Sequence, residues 1–192
     1  MIQHPYISMK NPIVYTLVGG LVLFFWQFLS FAGLNLHADA QAYTPKQGQI
    51  LECLAEMDLE PGMYAVGANL PPEDMADPDQ RNAINAEMEG KPWAVVHYHE
   101  AWSSDMGLNL IRSLIMNLIT AFLLFWMMRN LANPTRNRRI MLAIAVGWVG
   151  FMFFPYSNFI WYKNPDIVAH MIDGTLPFVL LGLIGPKAGS QR

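Results

Sequence analysis

Apolar residues gather into four long runs along this chain: Pro12–Leu34, then, after a mixed stretch over 35–105, Gly107–Leu131, Ile140–Tyr162 and Ile167–Ile184. A helix needs about 20 mostly apolar residues to cross a hydrocarbon core of about 30 Å, and each run meets that length. The pattern predicts an integral membrane protein, mainly α. Four transmembrane helices are expected, with a small α/β extracytoplasmic insertion between helices 1 and 2. The mean hydropathy of +0.22 understates this because it averages the runs with the polar insertion.

The insertion has its own periodicities. Thr44-Pro45 reads as a helix start, with Ile50, Leu51, Leu54 and Met57 recurring on one face until Glu60-Pro61-Gly62 stops the helix. Met63–Val66 reads as a short strand and 70–78 as a loop rich in Pro and acids. Asp79–Glu89 reads as a second helix, and Pro92–Tyr98 as a strand rich in β-branched and aromatic residues. Two strands do not make a robust independent sheet, so this cap is expected to lean on the spans or on another subunit. The organisation expected is 1–34 as N-terminus and first span, 35–105 as cap, and 106–192 as the remaining spans with a basic loop and C-terminus.

Charge then orients the spans, since short cytoplasmic loops retain Lys and Arg. The connection between the second and third runs carries Arg129, Arg136, Arg138 and Arg139 with no acid, and the tail adds Lys187 and Arg192. Both segments are assigned inside, which puts the N-terminus with Lys10 inside and 35–105 outside. The expected location is the bacterial inner membrane, with a periplasmic cap. Thirteen of the fifteen acidic residues lie in the insertion, an excess that disfavours nucleic acid and anionic headgroups as partners. Ala38-Asp39-Ala40 has the form of a signal-peptide cleavage site. The preceding run is longer than a signal core of about 7–15 residues, so an uncleaved anchor is expected. The lone Cys53 has no intramolecular disulfide partner and is expected to pack.

Candidate chemistry falls in three places. In an extended strand His97 and His99 share a face, a workable spacing for two imidazole ligands to zinc or copper, with Glu100 or His37 as a third. The competing reading is a strand whose His and Tyr tips lie at the membrane interface beside Trp93 and Trp102. In the last run Asp166, His170 and Asp173 are spaced by four and three, hence on one helical stripe behind Asn164-Pro165. Asp166 sits well at the positive end of the helix dipole. Asp173, about 12 Å further along, needs a partner. Arg112, at comparable depth in the second run, is the expected one, with His170 and Asn109 nearby. That pair reads as a structural fixer of helix register, or, through His170 and Asp173, as a proton or cation relay. Third, Pro155 is expected to break or kink the third span. Tyr156, Asn158 and Trp161 then offer aromatic walls for a lipid or quinone that His170 would hydrogen-bond. No cofactor is required by any of these patterns.

Glu60-Pro61-Gly62-Met63-Tyr64, Pro155-Tyr156-Ser157-Asn158 with the aromatics after it, and Asp173 are the residues on which the chain resembles a group of uncharacterised bacterial four-span integral membrane proteins with an extracytoplasmic insertion after the first span. The resemblance covers nearly the whole chain and implies topology, not activity. The sequence holds no phosphate loop, nucleophile–base set or haem-type histidine pairing across spans. The function expected is a non-catalytic accessory, assembly or scaffold subunit of a larger inner-membrane complex, partnered by lipid and other membrane subunits. The alternative is a small membrane enzyme or ligand- or metal-binding protein using His97, His99 and Glu100, or His170 and Asp173.

Overall fold

A computed structural model describes residues 11–67, 69–131 and 135–186. The charges at Lys10, Lys187 and Arg192 lie outside the described residues. The chain is mainly helical and divides into two compact units, one made of 1–42 with 105–192 and the other of 43–104. Leu36–Ala42 therefore goes with the long helices rather than with the insertion.

Helix α1 spans Pro12–Phe28. The Asn11 side chain accepts from the Ile13 N–H at 2.9 Å, and Pro12 fills the first position, where no N–H is missed. A π turn over Leu29–Gly33 prolongs it, and Asn35, at φ 49°, ends it in the left-handed region that Asn tolerates. In the second unit follow α2 (Gln47–Glu56), β1 (Gly62–Val66), α3 (Pro78–Met88, capped by Asp77) and β2 (Ala94–Tyr98). The two strands pair antiparallel with Met63 opposite His97 and Tyr64 opposite Val96. No described residue of 43–104 is buried, and Cys53, expected to pack, is exposed.

Helix α4 (Met106–Arg129) follows, then α5 (Arg136–Phe151), a π turn over Met152–Tyr156, and α6 (Ser157–Tyr162). Pro155 thus does not end the helical run. Its missing N–H and bulky ring are absorbed by the wider turn. The last run is two helices, α7 (Ile167–Asp173) and α8 (Leu176–Ile184), parted at Gly174-Thr175. Thr175 stitches the break, its hydroxyl donating to the Met171 carbonyl at 2.7 Å and accepting from Trp148 Nε1 at 3.1 Å. Four helical runs, Pro12–Gly33, Met106–Arg129, Arg136–Tyr162 and Ile167–Ile184, are long and apolar enough to cross a membrane.

The third run begins earlier than its apolar residues indicate, because Thr135 caps it through the Arg138 N–H. Of the four arginines expected in the connection, Arg129 ends α4 while Arg136, Arg138 and Arg139 occupy the first turn of the third run, and Arg139 is buried with Nε directed to the Gly182 carbonyl at 3.4 Å.

Packing pairs α1 with α4 and α5 with α8, and α8 also meets α1. Leu23, Ala121, Leu124, Phe125, Met128, Ala143 and Leu181 form the shared core. Glycines let these helices approach. A Cβ on Gly19 would lie 2.5 Å from the Phe125 ring, and one on Gly182 would lie 2.6 Å from the Ile140 Cα. A polar latch joins α1 to α4, with Gln27 Oε1 accepting from Ser113 Oγ at 2.8 Å and Asn117 Nδ2 at 2.7 Å.

A methyl group on Gly147 would collide with the Gly174 carbonyl oxygen, which is backbone and has little room to retreat, whereas one on Gly150 meets open space. Gly147→Ala is expected to cost about 1–3 kcal/mol, the usual range for overpacking. Gly150→Ala should stay within about 0.5 kcal/mol of the parent. Thermal unfolding of both variants in mild detergent compares them directly.

Candidate functional site

Two turns build the site. After the π turn and left-handed Asn35, the Leu36 N–H donates to the Ser30 carbonyl at 2.9 Å, folding the chain back so that His37 enters the helical unit. At the end of α6, Lys163 adopts φ 53° and turns the chain toward Asp166, the residue preceding α7. His37, 1% exposed, is held on both sides. Its Nδ1 lies 2.7 Å from Asp166 Oδ2 and its Nε2 lies 2.9 Å from Asp173 Oδ2. The Phe31 ring stacks on the imidazole at 3.9 Å with the planes 4° apart.

The carboxylates have further partners. Asp173 Oδ1 accepts from Trp26 Nε1 at 2.9 Å and from Ser30 Oγ at 2.8 Å, and these two donors lie one helical turn apart on the first run. Asp166 Oδ2 also lies 3.2 Å from His170 Nε2, and the His170 ring meets that of His37 edge-on at 4.8 Å. Among the described residues no buried side-chain nitrogen or oxygen lacks a partner. A histidine donates from both ring nitrogens only as imidazolium, so hydrogen bonds to two ionised carboxylates select the charged form of His37.

Electrostatics agree with this geometry. Burial opposes charge on His37, yet its hydrogen bonds to Asp166 and Asp173, together with their charges, hold its pKa above the ordinary 6.5. Burial likewise opposes ionisation of Asp166, and the hydrogen bond from His37 with the charge of His170 prevails, holding its pKa below the ordinary 3.8.

The structure brings together Asp166, His170 and Asp173, as their spacing predicts. It does not bring Arg112 to them. Arg112 and Asn109 are exposed, and no ion pair joins Arg112 to Asp173 among the described residues. The reason is azimuth: α4 turns Ser113 and Asn117 toward Gln27 of α1, while both oxygens of Asp173 are engaged by Trp26, Ser30 and His37. His97, His99 and Glu100 are exposed. The metal-ligating side chains that converge among the described residues are His37, His170 and Asp173, whose ligand atoms all lie within 4.8 Å of one another. Tyr156 packs near Phe151 and Phe159, Asn158 Nδ2 donates to the Phe154 carbonyl at 3.0 Å, and Trp161 is 73% exposed. Sequence reasoning missed His37 as the centre and Trp26 and Ser30 as donors. The available signal was a Trp and a Ser four apart in a mostly apolar run whose other polar residues are Thr16 and Gln27.

Compared with protein families, curated proteins and solved structures, the chain matches none.

Two outcomes follow from the clamp. His37→Ala leaves two facing carboxylates without their shared donor and should cost about 3–5 kcal/mol in thermal unfolding. Adding Asp166→Asn and Asp173→Asn should recover part of this, since uncompensated charge is what hurts. Stability measured against pH in chelator-containing buffer should also show a plateau between 3.8 and 6.5. The raised His37 contributes fully below 6.5, and its contribution is lost as pH rises through its folded value. The lowered Asp166 contributes above 3.8 and is lost as pH falls through its folded value.

Proposed function

We propose that this chain is a multi-pass protein of a bacterial inner membrane and acts there as a non-catalytic accessory, assembly or scaffold subunit of a larger complex, such as one of energy conversion. Four long apolar helices support the membrane location, and their uncovered side chains, Phe25 at 63% and Phe153 at 84% exposure among them, are of the kind that lipid or neighbouring helices cover. The arginines at the start of the third run favour cytoplasmic termini and a periplasmic 35–105.

The observation that carries the subunit reading is the insertion itself. A unit of this size with a two-stranded sheet and no buried described residue has too little core to hold an active site rigid. Such a surface is suited to being completed by a partner subunit. The clamp around His37 fits the same reading, because a closed network of satisfied groups fixes helix register.

Affinity purification of the tagged chain from its native membrane in mild detergent should yield larger subunits in fixed stoichiometry. Recovery of the chain alone, monodisperse and fully folded, would remove the subunit reading. Cys53 should react with a membrane-impermeant maleimide from the periplasmic side, and a cysteine replacing Arg136 only after the inner membrane is opened. The reverse pattern would invert the orientation.

A further inference from the structure

We propose that His37, His170 and Asp173 form a binding site for a borderline divalent transition-metal ion, with zinc as the reference ion. The site stands on the cluster geometry and does not depend on the subunit reading.

Three features argue for it. The first is convergence of the donor set. Two imidazoles and one carboxylate, one from the turn that follows the first run and two from α7, place their ligand atoms within 4.8 Å of one another. Around zinc with bonds of about 2.0–2.1 Å, tetrahedral ligand atoms stand about 3.3 Å apart. His37 Nε2 and Asp173 Oδ2, at 2.9 Å, need to open slightly, and the widest pair needs to close by about 1.5 Å. Both are side-chain adjustments.

The second is that two of the ligands already have the supporting contacts that metal ligands require. Asp166 Oδ2 takes the Nδ1 side of His37, fixing the ring so that Nε2 faces Asp173, while Phe31 fixes its plane. Trp26 and Ser30 both bind Asp173 Oδ1, so that Oδ2, which faces His37 Nε2, is the oxygen an ion between them would take. Carboxylate-oriented histidine and hydrogen-bonded carboxylate are the outer-shell devices of metal centres.

The third is charge. Asp166 and Asp173 bring two carboxylates to the cluster, and among the described residues neither is paired with an arginine or lysine. A divalent cation complements such a set, and its binding replaces any proton held on the ligating His37 nitrogen. The side chains of His170 and Asp173 are 31% and 20% exposed, which leaves the ion a way in from that edge. Three protein ligands with an open position match exchangeable or reactive sites rather than closed structural ones.

The full-length chain, purified in detergent and stripped with chelator, is titrated with zinc alone. The expected result is one zinc per chain after desalting, accompanied by proton release and a higher thermal midpoint. Asp166→Asn should weaken zinc binding about 10- to 100-fold, and His170→Ala, which leaves His37 between its aspartates, should abolish stoichiometric retention. The double variant His97→Ala, His99→Ala should retain zinc as the parent does. Absence of retained zinc in the parent overturns the proposal, as does unchanged retention in folded His170→Ala, or loss in the His97, His99 variant. If His170→Ala fails to fold, cobalt(II) loaded into the parent decides. Visible absorption of a four- or five-coordinate nitrogen and oxygen site supports the assignment, and the faint spectrum of the hydrated ion overturns it.

Discussion

A single imidazole gripped on both edges by carboxylates is the constraint on which the helical unit depends. His37 leaves the first run through a π turn and a left-handed asparagine, and it meets one aspartate just before α7 and another at its end. Those contacts tie the end of the first run to the last run, while Leu23 of α1 and Leu181 of α8 share an apolar core with Phe125 of α4. In a low-dielectric setting a satisfied polar network is rigid, and a half-satisfied one costs more than an apolar core. Trp26 and Ser30 matter for that reason: without them Asp173 would have one partly buried oxygen idle.

The glycine contacts act in the same direction by other means. Gly19 and Gly20 admit α4 side chains to the backbone of α1, Gly147 admits the Gly174 carbonyl and Phe178 of α8 to α5, and Gly182 admits α5 to the backbone of α8. Between lipid-like surfaces there is little hydrophobic gain from joining helices, so close backbone approach and interhelical hydrogen bonds decide which neighbours meet. The Gln27, Ser113 and Asn117 latch supplies the hydrogen bonds on one pair, and Trp148 with Thr175 supplies them on the other. In the insertion the elements form locally, and no described residue of 43–104 is buried.

Local features were legible in the sequence. Spacing alone placed Asp166, His170 and Asp173 on one stripe, and turn chemistry with β-branched runs placed α2, β1, α3 and β2 to within a few residues. What escaped was direction around a helix axis. Depth along a span suggested Arg112 for Asp173, but depth says nothing about azimuth, and α4 directs Ser113 and Asn117 toward α1. His37 escaped because its partners lie 129 and 136 positions away, and an apolar run gives no hint of which neighbour its end will touch. Arg139 was read as loop because charge marks a boundary in sequence, whereas Thr135 begins the helix before it and the Gly182 carbonyl receives it.

The division of the last run at Gly174-Thr175 bears on the order of biosynthesis. Its first half holds the acids that receive His37, and its second half fills the seam against α5. Chains leave the ribosome from the N-terminus, so His37 is made 129 residues before Asp166 and 136 before Asp173, and it meets both acceptors only once the last run has been made. The earlier helices can associate in the interim through the face that joins α1 to α4. Until the last run is made, the first run ends in an imidazole whose two acceptors do not yet exist.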